Sequence, residues 1–79
     1  MKTVEVRYFA LYREQVGRES ERFETALETA GELFDSLCSR HDLTAASDTK
    51  LAINDEIVDR ASKLSDGDTI LVFPPVSGG

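Results

Sequence analysis

The sequence predicts a two-layer α+β domain, with one principal helix laid across a mixed sheet. Three observations predict it. The chain opens with alternating residues from Val4 to Phe9, and one well-specified amphipathic helical pattern starts at Thr29. A dense β-forming run, Thr69 to Phe73, then follows a turn signal near the end. Seventy-nine residues leave room for one domain and no second.

In the first strand Val4, Val6 and Tyr8 face one way and Glu5, Arg7 and Phe9 the other, the pattern of a half-buried strand. Leu11 to Val16 is long enough for one or two helical turns, stopped by Gly17, a favoured residue just past a helix end. Ser20 to Glu24 reads as a weak second strand, carried mainly by Phe23. Thr29 and Glu32 have the spacing of a capping box, in which each side chain satisfies the other's free backbone N–H. Leu33, Phe34, Leu37, Cys38 and His41 follow as one apolar stripe, with Glu32, Asp35, Ser36, Ser39 and Arg40 largely outside it. Leu51 and Ile53 mark a third strand, Asn54-Asp55 a turn, and Ile57-Val58 the start of a short fourth strand. Asp66-Gly67-Asp68 is a strong turn signal before the last strand. Pattern alone does not give the order of the strands in the sheet.

Composition narrows the function classes. Hydrophobic residues make up 41% of the chain, enough for one core but too little for a deep substrate site. A core of this size supplies only ~3–5 kcal/mol of net stability. One cysteine and one histidine exclude a disulfide framework within the chain and a four-ligand zinc site, so no bound cofactor or metal is expected. The expected setting is a reduced, cytoplasmic one. The N-terminus mixes charged and apolar residues, unlike a signal peptide, and no apolar run approaches the ~20 residues that span a bilayer. Nine basic against fifteen acidic residues, a formal charge of −6, argue against nucleic acid. That charge fits a partner with a positive surface, or serves solubility alone.

The most unusual stretch is the last one, Phe73-Pro74-Pro75-Val76-Ser77-Gly78-Gly79. Two prolines remove two N–H donors, so strand pairing cannot continue through them, and they favour a stiff extended conformation. The organisation expected is a globular body over residues 1–73 and a flexible, projecting tail over 74–79. Six residues beyond Phe73 reach about 20 Å at ~3.3 Å each. Gly78 and Gly79 have no side chain, so the backbone and a terminal carboxylate can enter a passage too narrow for a Cβ. Such a carboxylate becomes an electrophile once adenylated. A frayed terminus is the bland alternative, since terminal glycines are often disordered.

On these residues the chain resembles the family of small, sulfur-carrying subunits of molybdopterin synthase, which are ubiquitin-like β-grasp proteins. The resemblance runs from Phe9-Ala10, Arg13-Glu14 and Gly17, through Thr29, Leu33 and Asn54, to Asp66-Gly67-Asp68 and the tail. It implies a cycle in which a ubiquitin-activating-like adenylyltransferase uses ATP to adenylate Gly79. A sulfur donor then converts the acyl-adenylate to a thiocarboxylate. Pro74, Pro75, Val76, Ser77 and Gly78 are inserted into the large catalytic subunit, where sulfur passes to cyclic pyranopterin monophosphate to form the molybdopterin dithiolene. The chain is then a carrier and co-substrate, not an enzyme, in a hetero-oligomer with the large subunit. The resemblance also implies an apolar docking surface of Phe9, Ile57 and Phe73, with Arg13 at its edge.

Other residues have structural readings. Cys38 lies on the apolar stripe as a small hydrophobe, His41 near the helix C-terminus, and Asp66 and Asp68 flank a turn glycine. Phe9 can alternatively cover an edge of the core, and a final-strand Phe73 can be core. Two other functions share the same tail chemistry: a ubiquitin-like modifier joined to lysines through Gly79, and a sulfur carrier for thiamine or cysteine. A plain interaction module is a further alternative.

Overall fold

The computed structural model describes residues 1–43 and 49–74; Pro75, Val76, Ser77, Gly78 and Gly79 of the expected tail lie outside the described residues. In chain order the elements are β1 (Lys2–Tyr8), α1 (Ala10–Val16), β2 (Ser20–Thr25), α2 (Ala30–His41), β3 (Lys50–Ile53), β4 (Glu56–Val58) and β5 (Thr69–Phe73). The strands form one mixed sheet in the order β2-β1-β5-β3-β4. β1 runs antiparallel to β2 but parallel to β5, and β3 is antiparallel to both β4 and β5. The last strand is therefore the central one.

The alternation in β1 holds. Val4, Val6 and Tyr8 are buried, together with Leu51 of β3 and Ile70 and Val72 of β5, against Leu33, Phe34 and Leu37 of α2. Tyr12 of α1 completes the same core with its ring edge-on to Phe34. β1 ends one residue before the expected boundary because Phe9 has become the cap residue of α1. The chain turns from strand to helix through Ala10, whose φ of 50° lies in the left-handed region. A residue with a Cβ adopts that region at a cost of ~1–2 kcal/mol. Gly17 closes α1 at φ 84° and donates its N–H to the Arg13 carbonyl.

The expected capping box is present in full. The Glu32 N–H donates to Thr29 Oγ1, and Glu32 Oε1 accepts from the backbone N–H groups of Glu28 and Thr29. Those two donors hold the Glu32 carboxyl below the usual range, first Glu28 and then Thr29. Carbonyls of the 59–64 segment take up the next helical donors: the Ala30 N–H donates to Ser62 and the Gly31 N–H to Arg60. Arg60 reaches back across the helix start to pair with both oxygens of Asp35.

His41 has a partner that helix-dipole reasoning did not foresee. Its Nε2 lies 2.7 Å from Glu21 Oε1 of β2, a close contact without the alignment of a hydrogen bond. The same oxygen accepts a 2.9 Å hydrogen bond from the Tyr8 hydroxyl. Burial, then the bond to Glu21, pushes the Tyr8 phenol well above its ordinary range. This cluster ties the C-terminal end of α2 to β1 and β2.

Two outcomes follow for stability. An exposed helical Gly→Ala change ordinarily stabilises by up to ~1 kcal/mol. Gly31→Ala should invert that sign, because a Cβ there would lie 2.8 Å from Arg60 Cβ and 2.9 Å from the Arg60 carbonyl oxygen. Overpacking of this kind costs ~1–3 kcal/mol, readable as a lowered denaturant midpoint. Tyr8 should also make the protein alkali-sensitive. Its folded-state pKa is raised, so its stabilisation is complete below the unfolded tyrosine value of about 10 and falls as pH rises past it. Urea unfolding of wild type and Tyr8→Phe on both sides of that pH should show a flatter alkaline slope for the variant.

Candidate functional site

The helix covers one face of the sheet, and the site is built on the other. In β5, Ile70 and Val72 point into the core, which sends Thr69, Leu71 and Phe73 to the open face. Register then aligns Arg7 of β1, Leu71 of β5, Ala52 of β3 and Ile57 of β4 in one row across four strands. Leu71 and Ala52 are buried yet stand apart from the helix-side core, while Ile57 at the sheet edge is 64% exposed.

The next row along β5 is aromatic. Phe9 and Phe73 stack with ring centroids 4.6 Å apart and planes 19° from parallel. Both rings are half-buried and neither belongs to the helix-side core. Mutual coverage thus explains why Phe9 is less exposed than its strand face alone would suggest. Phe73 is not core, which was the alternative reading of a final-strand aromatic. Lys50 of β3 pairs with Phe73 in the ladder, so a cation borders the aromatic pair.

Polar residues give this face a direction. Arg7 and Lys50 lie toward the Phe9–Phe73 end, whereas the other end carries Glu5 and the turns with Asp55, Asp66 and Asp68. The aspartates of the second turn are engaged in structure. Asp66 Oδ1 accepts from the Thr3 N–H, and Asp68 accepts from the Ser65 N–H and from Asn54 Nδ2. Gly67 takes φ 88° between them, as a turn requires.

The structure thus brings Phe9 and Phe73 into contact and sets Ile57 on the same face. Arg13 lies on α1, with its Nη1 3.8 Å from Glu19 in the α1–β2 connection and both side chains exposed. Pro74 directly follows Phe73 at the root of the tail and is half-buried. Leu71, Ala52 and Lys50 are the members of this face that sequence reasoning missed, whereas alternation in β1 already placed Arg7 with Phe9. The all-apolar run in β5 hides its alternation, and only the register with β1 separates Leu71 from Ile70 and Val72. Cys38 is half-buried beside the core, and burial pushes its thiol up, away from the reactive thiolate.

The ThiS family model matches residues 6–79. The chain belongs to the ThiS family. It is similar to the molybdopterin synthase sulfur carrier subunit of Escherichia coli (strain K12), 34% identical over 80 residues, covering 96% of this chain and 99% of that protein. Among solved structures, SAMP1, the small archaeal modifier protein 1 of Haloferax volcanii, superposes with a TM-score of 0.79 at 26% identity. That match covers 98% of this chain and 99% of SAMP1. A chain in the complex of subunits 1 and 2 of molybdopterin-converting factor from Helicobacter pylori 26695 matches with a TM-score of 0.68 at 30% identity, covering 98% and 99%. As a ThiS-family member the chain has the ubiquitin-like β-grasp fold expected from its sequence.

The aromatic pair has a measurable signature. A double-mutant cycle on Phe9→Ala and Phe73→Ala should give a coupling of about 0.5–1.5 kcal/mol in unfolding free energy. Additive losses would mean that the two rings stabilise the fold independently.

Proposed function

We propose that this protein is a sulfur carrier of molybdopterin synthase, acting through a thiocarboxylate at Gly79. The observation that carries the reading is where β5 ends. It is the central strand, held by β1 as far as Val72 and by β3 as far as Phe73, and the tail begins there beside the apolar face. A partner that grips Phe9, Phe73 and Ile57 would receive residues 74–79 from a fixed origin. The match to the E. coli carrier subunit over nearly its whole length supports the same reading.

A carboxylate oxygen of Gly79 attacks the α-phosphate of ATP on an adenylyltransferase, releasing pyrophosphate and leaving an acyl-adenylate. Sulfide-level sulfur delivered by a donor as hydrosulfide then attacks the acyl carbon and displaces AMP, and loss of its proton leaves a thiocarboxylate. The large subunit supplies the catalytic side chains; there the thiocarboxylate sulfur bonds to cyclic pyranopterin monophosphate, and water cleaves the acyl–sulfur bond and restores the Gly79 carboxylate. The domain contributes a rigid launch point and a docking face. Fixing the tail in a channel costs about 1–2 kcal/mol per residue, which contacts on that face must offset. Small residues at 78 and 79 let the backbone approach the reacting phosphate closely.

A second reading is kept because SAMP1 is a modifier protein of similar structure. In it the same adenylate would pass Gly79 to a lysine amine, forming an isopeptide bond. Intact-mass analysis of protein taken from its own cells, with fragmentation across Gly79, tests both. Sulfur in place of one terminal oxygen supports the carrier. Branched peptides at lysines of other proteins, without that exchange, support the modifier.

Two variants test the division of labour. Ile57→Asp should leave unfolding free energy within ~0.5 kcal/mol, since the side chain is 64% exposed, yet weaken binding to the large subunit at least ~10-fold. Gly78→Val should fold normally and still bind the adenylyltransferase, while pyrophosphate exchange falls steeply. Wild-type exchange by Gly78→Val would show that the glycines do not serve a narrow passage.

A further inference from the structure

The open face and tail leave one long feature unused, the free edge of β2. This strand is six residues long and borders the sheet, whereas the opposite edge strand, β4, has three. Which backbone groups face outward is fixed by the β1 ladder. Thr3 and Glu5 send their N–H groups away from β2, to Asp66 Oδ1 and the Asp68 carbonyl, while Tyr8 donates toward it, to Glu19. Thr3 pairs with Glu24, Glu5 with Arg22 and Arg7 with Ser20. In an antiparallel ladder such positions alternate, so Ser20, Arg22 and Glu24 direct their backbone N–H and C=O groups to the outside.

The side chains of that edge are complementary to themselves. Arg22 and Glu24 lie on the open face, and Phe23 lies between them on the helix face, half-buried. An antiparallel pairing of two β2 strands must join outward-facing residues to outward-facing residues, which allows only a few registers. Centring on Arg22 opposes two arginines, centring on Glu24 two glutamates, and centring on Glu21 two glutamates on the helix side. Centring on Phe23 sets Arg22 opposite the second copy's Glu24, twice over, and brings the two phenyl rings together in a close, non-hydrogen-bonded pair. Opposite charges and aromatic pairs each favour cross-strand association, and like charges oppose it. The groove between β2 and α2, lined by Phe23, Thr25, Leu33, Ser36, Leu37 and Arg40, leaves room beside those rings. The Arg40 guanidinium already sits 4.9 Å from the Phe23 ring centroid.

We propose that the β2 edge is a self-association surface, pairing two copies of this chain antiparallel about Phe23 into one continuous sheet. The two-fold axis through that pair places both open faces on the same side. The two β5 strands, five strand spacings apart, are then separated by roughly 24 Å at ~4.8 Å per strand. Both open faces and the C-terminal ends of both β5 strands stay uncovered by the pairing, so the surface is independent of the carrier reading. The formal charge of −6 on each copy opposes association at low ionic strength, and that repulsion is screened at ~0.15 M salt, where the Debye length is ~8 Å.

Sedimentation equilibrium of the purified chain over a wide concentration range is the test. The wild type should move from 8.7 kDa toward twice that mass as concentration rises. Arg22→Glu and Glu24→Arg should each weaken self-association roughly tenfold or more by placing like charges opposite one another. Mixing the two variants should restore a heterodimer, since the acidic pair carried by the first variant then meets the basic pair carried by the second. That recovery also shows that both are folded. A wild type that stays monomeric to about 1 mM would overturn the proposal. So would a dimer that survives Arg22→Glu but is lost in Ile57→Asp, which would assign association to the open face.

Discussion

The parallel pairing of β1 with β5 is the constraint on which the rest of the structure depends. It joins Glu5–Tyr8 to Thr69–Val72, bringing together the two ends of the folded body. Parallel neighbours cannot be joined by a tight turn, so everything between them is one long crossover connection that includes α2. Because β5 lies between β1 and β3, it hydrogen-bonds on both sides and packs α2 with Ile70 and Val72. The same strand sets Phe73 beside Phe9 on the opposite face. A domain whose central ladder links its first and last strands has high contact order, and closing that ladder is the slow part of folding such a topology.

That single pairing also separates two surfaces. Residues of one parity in β1, β5 and β3 make the core under α2, and residues of the other parity make the open face. The open face is not uniform: Leu71, Ala52 and Ile57 form an apolar row, the aromatic pair stands at the tail end, and charge changes sign along the strands. On the proposed docking reading, such a face would give a partner an orientation as well as an affinity, with apolar contact as the anchor and the flanking charges selecting direction.

Much of this was legible in residue order, and the failures have identifiable causes. Local signals worked: the Thr29–Glu32 capping box, the Gly17 helix stop, the Asn54-Asp55 turn with both residues at positive φ, and the Asp66-Gly67-Asp68 turn. Each depends on residues a few positions apart. The face of Phe9 was also readable, since alternation in one strand suffices. What escaped was every feature that needs register between distant strands. Leu71 is hidden in an unbroken apolar run, and the choice between docking face and core for Phe73 is made only when β1 is laid beside it. The pairing of Arg13 with Glu19 and of His41 with Glu21 depends on where loops bring side chains, which periodicity does not encode. The residues expected to carry the chemistry, at the glycine end, are read from sequence and family alone.

The junction at the start of α2 has a consequence for dynamics. Segments without regular structure usually open first, exchanging their amide protons through small local fluctuations. The 59–64 segment is tied differently: its carbonyls at Arg60 and Ser62 accept the Gly31 and Ala30 N–H groups, and its Leu64 N–H donates to Glu28. Opening either partner breaks the hydrogen bonds of both. Helix start and irregular segment therefore behave as one cooperative unit, with protection in the loop rising to that of the helix it closes.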